Sequence, residues 1–432
     1  MNTKQRVLTI QTLTTRVYQW CDAFLLQTSF LLVMRMVGTG LGFFFWMYAT
    51  RIAVPDAIGY SSALISAAMF MASLAQMGFG YVVLRHLRYQ SNPSGLVNLI
   101  LSIIAVMTLL MVSIALGTMR SWFPHEQDQA NRFVVGGILL ILTMSLALSQ
   151  IVNWIFLTQQ RLSFSLLKQG GQACLALGLI ILFQPIGGFL TIMLAYTTAA
   201  CIVTIVSIII GLPKVIPQYQ RTLSWKYWPQ RALMNDALPN YLSDQLQRLP
   251  DMLLPLIVVH QAGGRIGAIF FIMWSLGSSI SAWASSTADA FLREGTYHPN
   301  HLMTLLPRVL MTGFLLTVGL GSILALVSPI LLPWYGQAYA TMGYPFLLVL
   351  LISNVPWVGT TLLITLLRIR ERRIAVLVGL ILSNGIGTLV MLVLLPKGLL
   401  AAGWGWGGVQ VVVMLGLGLY SYHLRRDRQV AP

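Results

Sequence analysis

The chain has 432 residues, of which 57% are hydrophobic and only 9% are charged. Soluble domains carry about 25% charged residues, so this composition excludes an ordinary soluble enzyme. The formal net charge of +16 comes from basic residues in short segments between apolar runs. This distribution is typical of membrane proteins and argues against a nucleic-acid partner.

Apolar runs recur along the chain from Phe24 to Leu424. Roughly 18 or more apolar residues in a helix are enough to cross about 30 Å of hydrocarbon. The runs do not alternate apolar and polar residues as barrel strands do, so they predict helices. We therefore predict an all-α polytopic protein of the bacterial inner membrane with about twelve transmembrane helices. The predicted spans are 28–50, 59–83, 97–118, 133–157, 166–185, 188–211, 236–260, 266–290, 304–328, 343–367, 374–395 and 399–423.

Lys and Arg are distributed unevenly over the loops between these spans. With the amino terminus in the cytoplasm, about twenty basic residues fall in cytoplasmic segments and about five fall outside. Cytoplasmic loops of membrane proteins carry such an excess, so we predict that both termini lie in the cytoplasm. Arg35 and Arg248 are left inside predicted spans.

The two halves of the chain share short patterns in equivalent loops. Val83–Pro93 follows the second span and Phe291–Asn300 follows the eighth, an offset of about 210 residues. Such a repeat with six helices per half places a symmetry axis along the membrane normal. We predict a six-helix lobe at 1–212, a basic cytoplasmic linker at 213–235 and a second six-helix lobe at 236–432.

The seventh span carries polar residues at steps of three and four, which line one face of a helix. These residues are Asn240, Asp244, Gln247, Arg248, Asp251 and Pro255. Ionisable groups at membrane depth are costly and normally face a cavity or a partner. The functional interpretation is a hydrated cavity in which Arg248 meets an anionic substrate, while Asp244 and Asp251 balance charge or exchange a cation. The alternative is a self-contained, ion-paired stripe near the cytoplasmic interface.

Two further arginines are candidates for substrate contact. Arg35 lies near the middle of the first span, and a guanidinium group in a water-filled pocket suits phosphate oxygens. Its alternative is a side chain that extends to the inner interface. Arg51, near Asp56, marks the external end of this span, where anchoring is the alternative to binding.

The eighth span carries Trp274 among serines and glycines. Its ring could stack on a sugar, although close packing of helices through small residues is an equal alternative. Isolated polar residues in other spans are interpreted as interhelical hydrogen-bonding groups. They are Gln76, Asn153, Asn354 and Gln410.

The sequence has no recognisable catalytic constellation. Its histidines lack metal-ligand spacing, and no glycine-rich loop precedes Lys and Ser or Thr, so no catalytic residue, metal site or cofactor is expected. An enzyme that joins glycans outside the cell would be expected to have a larger external loop than this chain offers. We therefore expect a transporter and not an enzyme.

The segment Met34–Leu87 resembles the opening of Wzx-type polysaccharide flippases, which belong to the multidrug/oligosaccharidyl-lipid/polysaccharide (MOP) exporter superfamily. The shared pattern is Arg35 with glycines in the first helix and Gly59–Tyr60 at the start of the second. A Gly-Phe-Gly motif follows, and then the pair Leu84–Arg85 directly after the second predicted span. Later similarities are the Gly263–Gly264 turn, the Glu294–Gly295 pair and the basic turn Arg368–Arg373.

This resemblance implies a MATE-like fold of two six-helix lobes that alternate between inward-open and outward-open states around a cationic cavity. It implies an undecaprenyl-diphosphate-linked oligosaccharide as substrate, of O-antigen, enterobacterial common antigen or exopolysaccharide type, moved from the cytoplasmic to the periplasmic leaflet. Arg35 stands where relatives contact the diphosphate, and Arg51 and Arg248 are further candidates. Membrane lipids, a polysaccharide polymerase and a chain-length regulator are the implied partners.

Other functions stay open at this point. A cation-coupled multidrug exporter has a similar fold, but many such exporters carry an acidic residue in the first helix where this chain has Arg35. A membrane-embedded glycan polymerase or ligase and a non-transporting scaffold are the remaining alternatives.

Overall fold

The computed structural model describes residues 38, 40–90, 92–122, 129–216, 219–220, 231–297 and 302–430. Within these ranges the chain is helical, with short turns between the helices. The helices are α1 (40–52), α2 (Pro55–Ala75), α3 (Phe79–His86), α4 (Pro93–Trp122), α5 (Gln129–Thr158), α6 (Leu162–Leu182), α7 (Gly188–Val206), α8 (Leu212–Val215), α9 (Arg231–Tyr297), α10 (Leu302–Leu331), α11 (Tyr344–Ile369), α12 (Arg373–Leu380), α13 (Gly387–Leu394) and α14 (Leu399–Val430).

Ten helical stretches within the described ranges are long and apolar enough to cross a membrane. One of them, Ala237–Thr296, contains two limbs of α9, because Gly263 breaks the helix with a φ of 84°. The limbs correspond to the predicted seventh and eighth spans. The prediction of an all-α polytopic fold is confirmed, whereas the number twelve and the cytoplasmic location of both termini stay predictions.

The second predicted span, 59–83, is wrong at its end. Helix α2 stops at Ala75, and Met77 (φ 44°) and Gly78 (φ 83°) adopt left-handed conformations before α3 begins. Hydropathy does not reveal this break, because apolar residues continue on both sides of Gly78. Glycine adopts such a conformation without steric cost, so the Gly-Phe-Gly motif marks a bend inside the predicted span.

The two predicted halves pack together along α2 and α9. We call the end that carries the predicted external loops the outer end, and the opposite one the inner end. One hydrophobic core lies within the first half, whereas a second core joins residues of both, including Ile58 and Val258. At the outer end a Cβ on Gly59 would stand 2.0 Å from the carbonyl oxygen of Gly264. The Asp56 carboxylate there accepts a hydrogen bond of 3.0 Å from the Arg265 backbone N–H.

Isolated polar residues connect the membrane helices, as predicted. The Gln410 amide donates to the carbonyl oxygen of Ser383 at 3.0 Å and accepts from its hydroxyl at 2.7 Å. Asn354 donates to the carbonyl oxygen of Gly277 at 2.9 Å. Gln76 and Asn153 bond to side chains of neighbouring turns or helices. Such bonds contribute about 0.6 kcal/mol each in membrane proteins, and those of Asn354 and Gln410 join elements that line the cavity described next.

Candidate substrate cavity

A cavity of about 530 Å³ lies within the second half of the chain. Both limbs of α9, α11, α14 and the π-helical segment Ile381–Ile386 contribute to its wall. Its charged residues are Asp244, Arg248, Asp251, Asp289 and Arg368. Among the described residues this chamber, which we call the lobe cavity, is therefore mixed in charge, and less cationic than the family resemblance implies.

The polar stripe predicted for the seventh span lies on the wall of the lobe cavity. Asp244, Gln247, Arg248 and Asp251 all line it. Asp244 accepts a hydrogen bond of 2.5 Å from the Tyr81 hydroxyl, and Asp251 accepts one of 2.8 Å from the Trp274 indole N–H. Each carboxylate is thus held by an aromatic side chain, and the Arg248 side chain is exposed in the cavity. The helical period alone places these residues on one face.

Aromatic rings form another part of the wall of the lobe cavity. Trp274 stacks on Phe270 with 5.6 Å between ring centroids and an interplanar angle of 19°. It meets Trp406 edge-on at 5.4 Å, and Trp357 completes the group. A tryptophan offers a large apolar face together with one polar N–H group, so this wall can contact an amphipathic ring.

The second limb of α9 adds a polar stripe that the sequence analysis recognised only in part. Ser278, Ser281 and Ser285 line the cavity, and Asp289 continues the same face one turn later. Asp289 was not singled out, although its step of four from Ser285 is the signal that could have identified it. Ser281 donates to the Asn354 side chain at 2.9 Å, which joins this stripe to α11.

A second chamber of about 470 Å³, which we call the vestibule, opens between the two halves near the inner end. Helix α3 contributes Tyr81 and Arg85, and the α11–α12 turn contributes Arg368, Glu371 and Arg373. The vestibule and the lobe cavity share Asp244 and Arg368. The two chambers are therefore adjacent, with basic side chains concentrated in the vestibule.

Arg368 connects these chambers through its own contact. Its guanidinium donates to the Gln247 side-chain oxygen at 3.4 Å. In the sequence, Arg85, Arg368 and Arg373 indicate orientation in the membrane and a family resemblance, and neither predicts that they share a site. Their common location follows from the packing of α3, α11 and α12 against α9, which no local pattern contains.

The remaining predicted residues lie elsewhere. Arg35 is outside the described residues, so its role stays a prediction. Arg51 is exposed at the outer end, where its Nε donates to the carbonyl oxygen of Trp334 at 3.5 Å, and it lines neither chamber. Trp274 and Arg248 share the lobe cavity with Asp244 and Asp251, whereas Arg51 is separate from them.

Solved structures of similar shape are transporters. The chain matches an inward-facing multidrug resistance MATE family transporter of the MOP superfamily with a TM-score of 0.68 and 14% identity, covering 94% of this chain and 100% of that one. It matches the lipid II flippase MurJ in an inward closed conformation with a TM-score of 0.67 and 12% identity, covering 92% and 87%. MATE in complex with MaL6 matches with a TM-score of 0.63 and 14% identity, covering 92% and 95%.

The fold is that of the MOP transporters. No family model matches the chain, and no curated protein sequence is similar to it. The MATE-like fold predicted from the sequence is confirmed, and so is the prediction of a multi-pass inner-membrane protein.

Proposed function

We propose that the protein is a flippase that moves an undecaprenyl-diphosphate-linked oligosaccharide from the cytoplasmic to the periplasmic leaflet by alternating access. The observation that carries this proposal is the junction of two chambers of different chemistry at Asp244 and Arg368. One chamber is aromatic and rich in hydroxyl groups, and the other is rich in arginine. A sugar joined to a diphosphate has the same two parts in the same order.

The vestibule is the proposed site of the diphosphate. Arg85, Arg368 and Arg373 line it, and Arg248 lies just beyond in the lobe cavity. A guanidinium group presents paired N–H donors that match phosphate oxygens. Arg35 remains a proposed contact from the first helix, and Arg51 a proposed contact at the outer end.

The lobe cavity is the proposed site of the sugar. Its volume of about 530 Å³ is within the range of small-molecule sites, roughly 300 to 1,000 Å³. Trp274, Trp357 and Trp406 offer apolar faces to the C–H groups of a sugar ring, while Ser278 and Asn384 offer hydrogen-bonding groups. Several sugars of a repeat unit would extend from this cavity into the vestibule.

Asp244 and Asp251 are the proposed sites of coupling to H⁺ or Na⁺. Asp251 is bonded to Trp274, so a change in its ionic state would act directly on the aromatic wall. Asp244 is bonded to Tyr81 of α3, so a change there would act on the contact between the two halves. On this proposal, neutralisation of Asp251 would change substrate contacts, and neutralisation of Asp244 would change the contact between the two halves.

Replacement of Arg248 or Arg368 by alanine tests the proposal. We expect Arg368→Ala to lower surface polysaccharide by about ten- to a hundredfold, because the loss of one charge-assisted bond to a diphosphate costs about 1.5 to 3 kcal/mol. The assay measures surface polysaccharide and cytoplasm-facing lipid-linked glycan in a deletion strain. Arg265→Ala, at the outer end, is the matched control. Normal polysaccharide in both Arg248→Ala and Arg368→Ala, at normal protein levels, rejects the proposed function.

Export of organic cations is the second candidate, and the acidity of the lobe cavity favours it. Asp244, Asp251 and Asp289 line the lobe cavity together with three tryptophans, and aromatic rings with carboxylates suit a cationic ligand. The two candidates are separated by drug-susceptibility assays on the deletion strain. Increased sensitivity to cationic drugs with unchanged surface polysaccharide would replace the flippase with the exporter.

A further inference from the structure

The outer surface of the second half carries an apolar groove of about 1230 Å³. One wall is a stripe of α12 and the turn after it, and the other is a stripe of α14. Helix α13 packs along α14, whereas α12 packs on α11 and α9. The groove therefore widens from the middle of the bundle towards the inner end. We call it the α12–α14 groove.

Branched apolar side chains and glycines line the α12–α14 groove. Ile374 is 80% exposed and Val412 is 70% exposed, so neither is covered by the protein. Gly408 and Gly416 stand on the α14 wall, and a Cβ on either would meet no atom within 4 Å. Glycine at these positions leaves open space, in contrast to glycines elsewhere in the chain that allow two helices to touch.

The inner end of the groove is basic. Glu371, Arg372 and Arg373 lie there, in the turn between α11 and α12. Glu371 adopts a left-handed conformation with a φ of 55°, which makes this turn tight. Glu371 and Arg373 also line the vestibule. The groove and the vestibule thus meet at one turn, one reaching it from the lipid side and the other from the interior.

We propose that the α12–α14 groove holds the prenyl chain of the substrate, with the diphosphate at Arg372 and Arg373, where the groove meets the vestibule, and the sugars extending from the vestibule into the lobe cavity. This inference rests on the proposed function. An apolar channel that ends at two arginines is complementary to a long hydrocarbon chain with an anionic end. A phospholipid also has hydrocarbon chains and an anionic end. A substrate whose diphosphate lies at the vestibule explains in addition why the groove and the vestibule share the α11–α12 turn.

The α12–α14 groove would orient the substrate and add little to its binding free energy. A chain that moves from bilayer to groove gains little hydrophobic free energy, because both surroundings are apolar. The groove therefore acts by orientation: it directs the diphosphate to the α11–α12 turn, next to the opening of the vestibule. Filling the groove should reduce capture of long-chain substrates without changing the chambers.

The test is photocrosslinking of the full chain in nanodiscs with an undecaprenyl diphosphate that carries a diazirine in its prenyl chain. We expect labelled peptides within residues 374–386 and 405–420. Unlabelled undecaprenyl diphosphate should compete, and phosphatidylethanolamine should not. In the double variant Gly408→Leu and Gly416→Leu the labelling should fall by at least about tenfold, because the leucine side chains would occupy the space of the prenyl chain. Leucine in place of helical glycine favours the helix, so the fold is retained.

Gly319→Leu is the matched control. Gly319 is exposed on α10 with open space around its Cβ position, and it lies outside the groove. Labelling scattered over other helices, or labelling displaced by phosphatidylethanolamine, overturns the inference. If the groove is not labelled while Arg248→Ala and Arg368→Ala still abolish polysaccharide, the groove is wrong and the function stands. If the groove is labelled while those variants leave polysaccharide normal, the function is wrong and the groove remains a prenyl site.

Discussion

The contact between α2 and α9 differs between its two ends. At the outer end it is made of backbone, with Gly59 facing Gly264 so closely that no side chain fits between them. At the inner end it is made of long polar side chains, where Ser73 donates to Gln245 at 2.9 Å and Tyr241 donates to the carbonyl oxygen of Leu74 at 3.2 Å. The outer end is thus sealed, and the inner end borders the vestibule.

This difference indicates how the two ends respond to movement of the halves. A contact between glycine backbones can separate with the loss of few specific bonds, of which the Asp56 bond to Arg265 is one. Polar side chains near the vestibule can exchange partners with water or with a substrate, because they already border an open chamber. On the proposed function, a closed outer contact with an open inner chamber is the arrangement in which substrate would enter from the inner end.

The largest effect is expected from a change that opens the sealed end. In Gly59→Ala the added methyl group would stand 2.0 Å from the Gly264 oxygen, so α2 and α9 must separate. Overpacking of this kind costs about 1 to 3 kcal/mol, and we expect a tenfold or greater loss of transport. The measurement is labelling of an Ile58→Cys reporter by a membrane-impermeant maleimide, since Ile58 is 0% exposed.

The matched control for this experiment is Gly178→Ala, which adds the same methyl group where no atom lies within 4 Å. Labelling of the Ile58→Cys reporter should rise in Gly59→Ala and stay low in Gly178→Ala. Equal labelling in the two variants would show that the glycine contact does not seal the outer end.

The next largest effect is expected in the lobe cavity. Asp251→Asn keeps an oxygen that can accept from the Trp274 indole but removes the charge that can exchange a cation. We expect transport to fall by about tenfold, that is about 1.4 kcal/mol, and to lose its dependence on pH or Na⁺, while thermal stability is unchanged. Transport by Asp251→Asn with the wild-type ion dependence would exclude Asp251 from coupling.

A smaller effect is expected at the contact between α3 and α9. Tyr81→Phe removes the hydroxyl that donates to Asp244 at 2.5 Å, and hydrogen bonds to charged groups contribute about 1.5 to 3 kcal/mol. The aspartate can be solvated in the vestibule, so we expect only about 1 kcal/mol of lost stability and a shift towards states open at the inner end. Scanning calorimetry and thiol labelling at Ser243→Cys measure the two quantities, with Tyr89→Phe, at an exposed tyrosine, as control.

The smallest effect on transport is expected away from both ends. Gln410 is fully buried, and its side chain makes two bonds to Ser383 within the second half. We expect Gln410→Leu to leave transport unchanged and to cost about 1.2 kcal/mol of stability, about 0.6 kcal/mol for each bond, as measured by surface polysaccharide and the melting temperature. A loss of transport as large as in Asp251→Asn would mean that transport depends on the packing of α14 more than on the charges in the lobe cavity.

Patterns that repeat along one helix were sufficient to predict part of this molecule. Hydropathy predicted the all-α multi-pass fold, because each membrane helix satisfies its own backbone and buries itself in lipid whatever its neighbours are. The three- and four-residue steps of α9 predicted that Asp244, Arg248 and Asp251 share a face, because the helical period is a local property.

The tertiary structure alone decided what that face meets. Trp357, Asn384 and Trp406 come from three separate segments to enclose the lobe cavity, and Arg373 reaches both the vestibule and the α12–α14 groove. These neighbours depend on how helices far apart in the chain pack, and in a uniformly apolar sequence no local signal records that packing. Likewise, the bend at Gly78 is a choice of backbone conformation between two apolar segments, which hydropathy does not register.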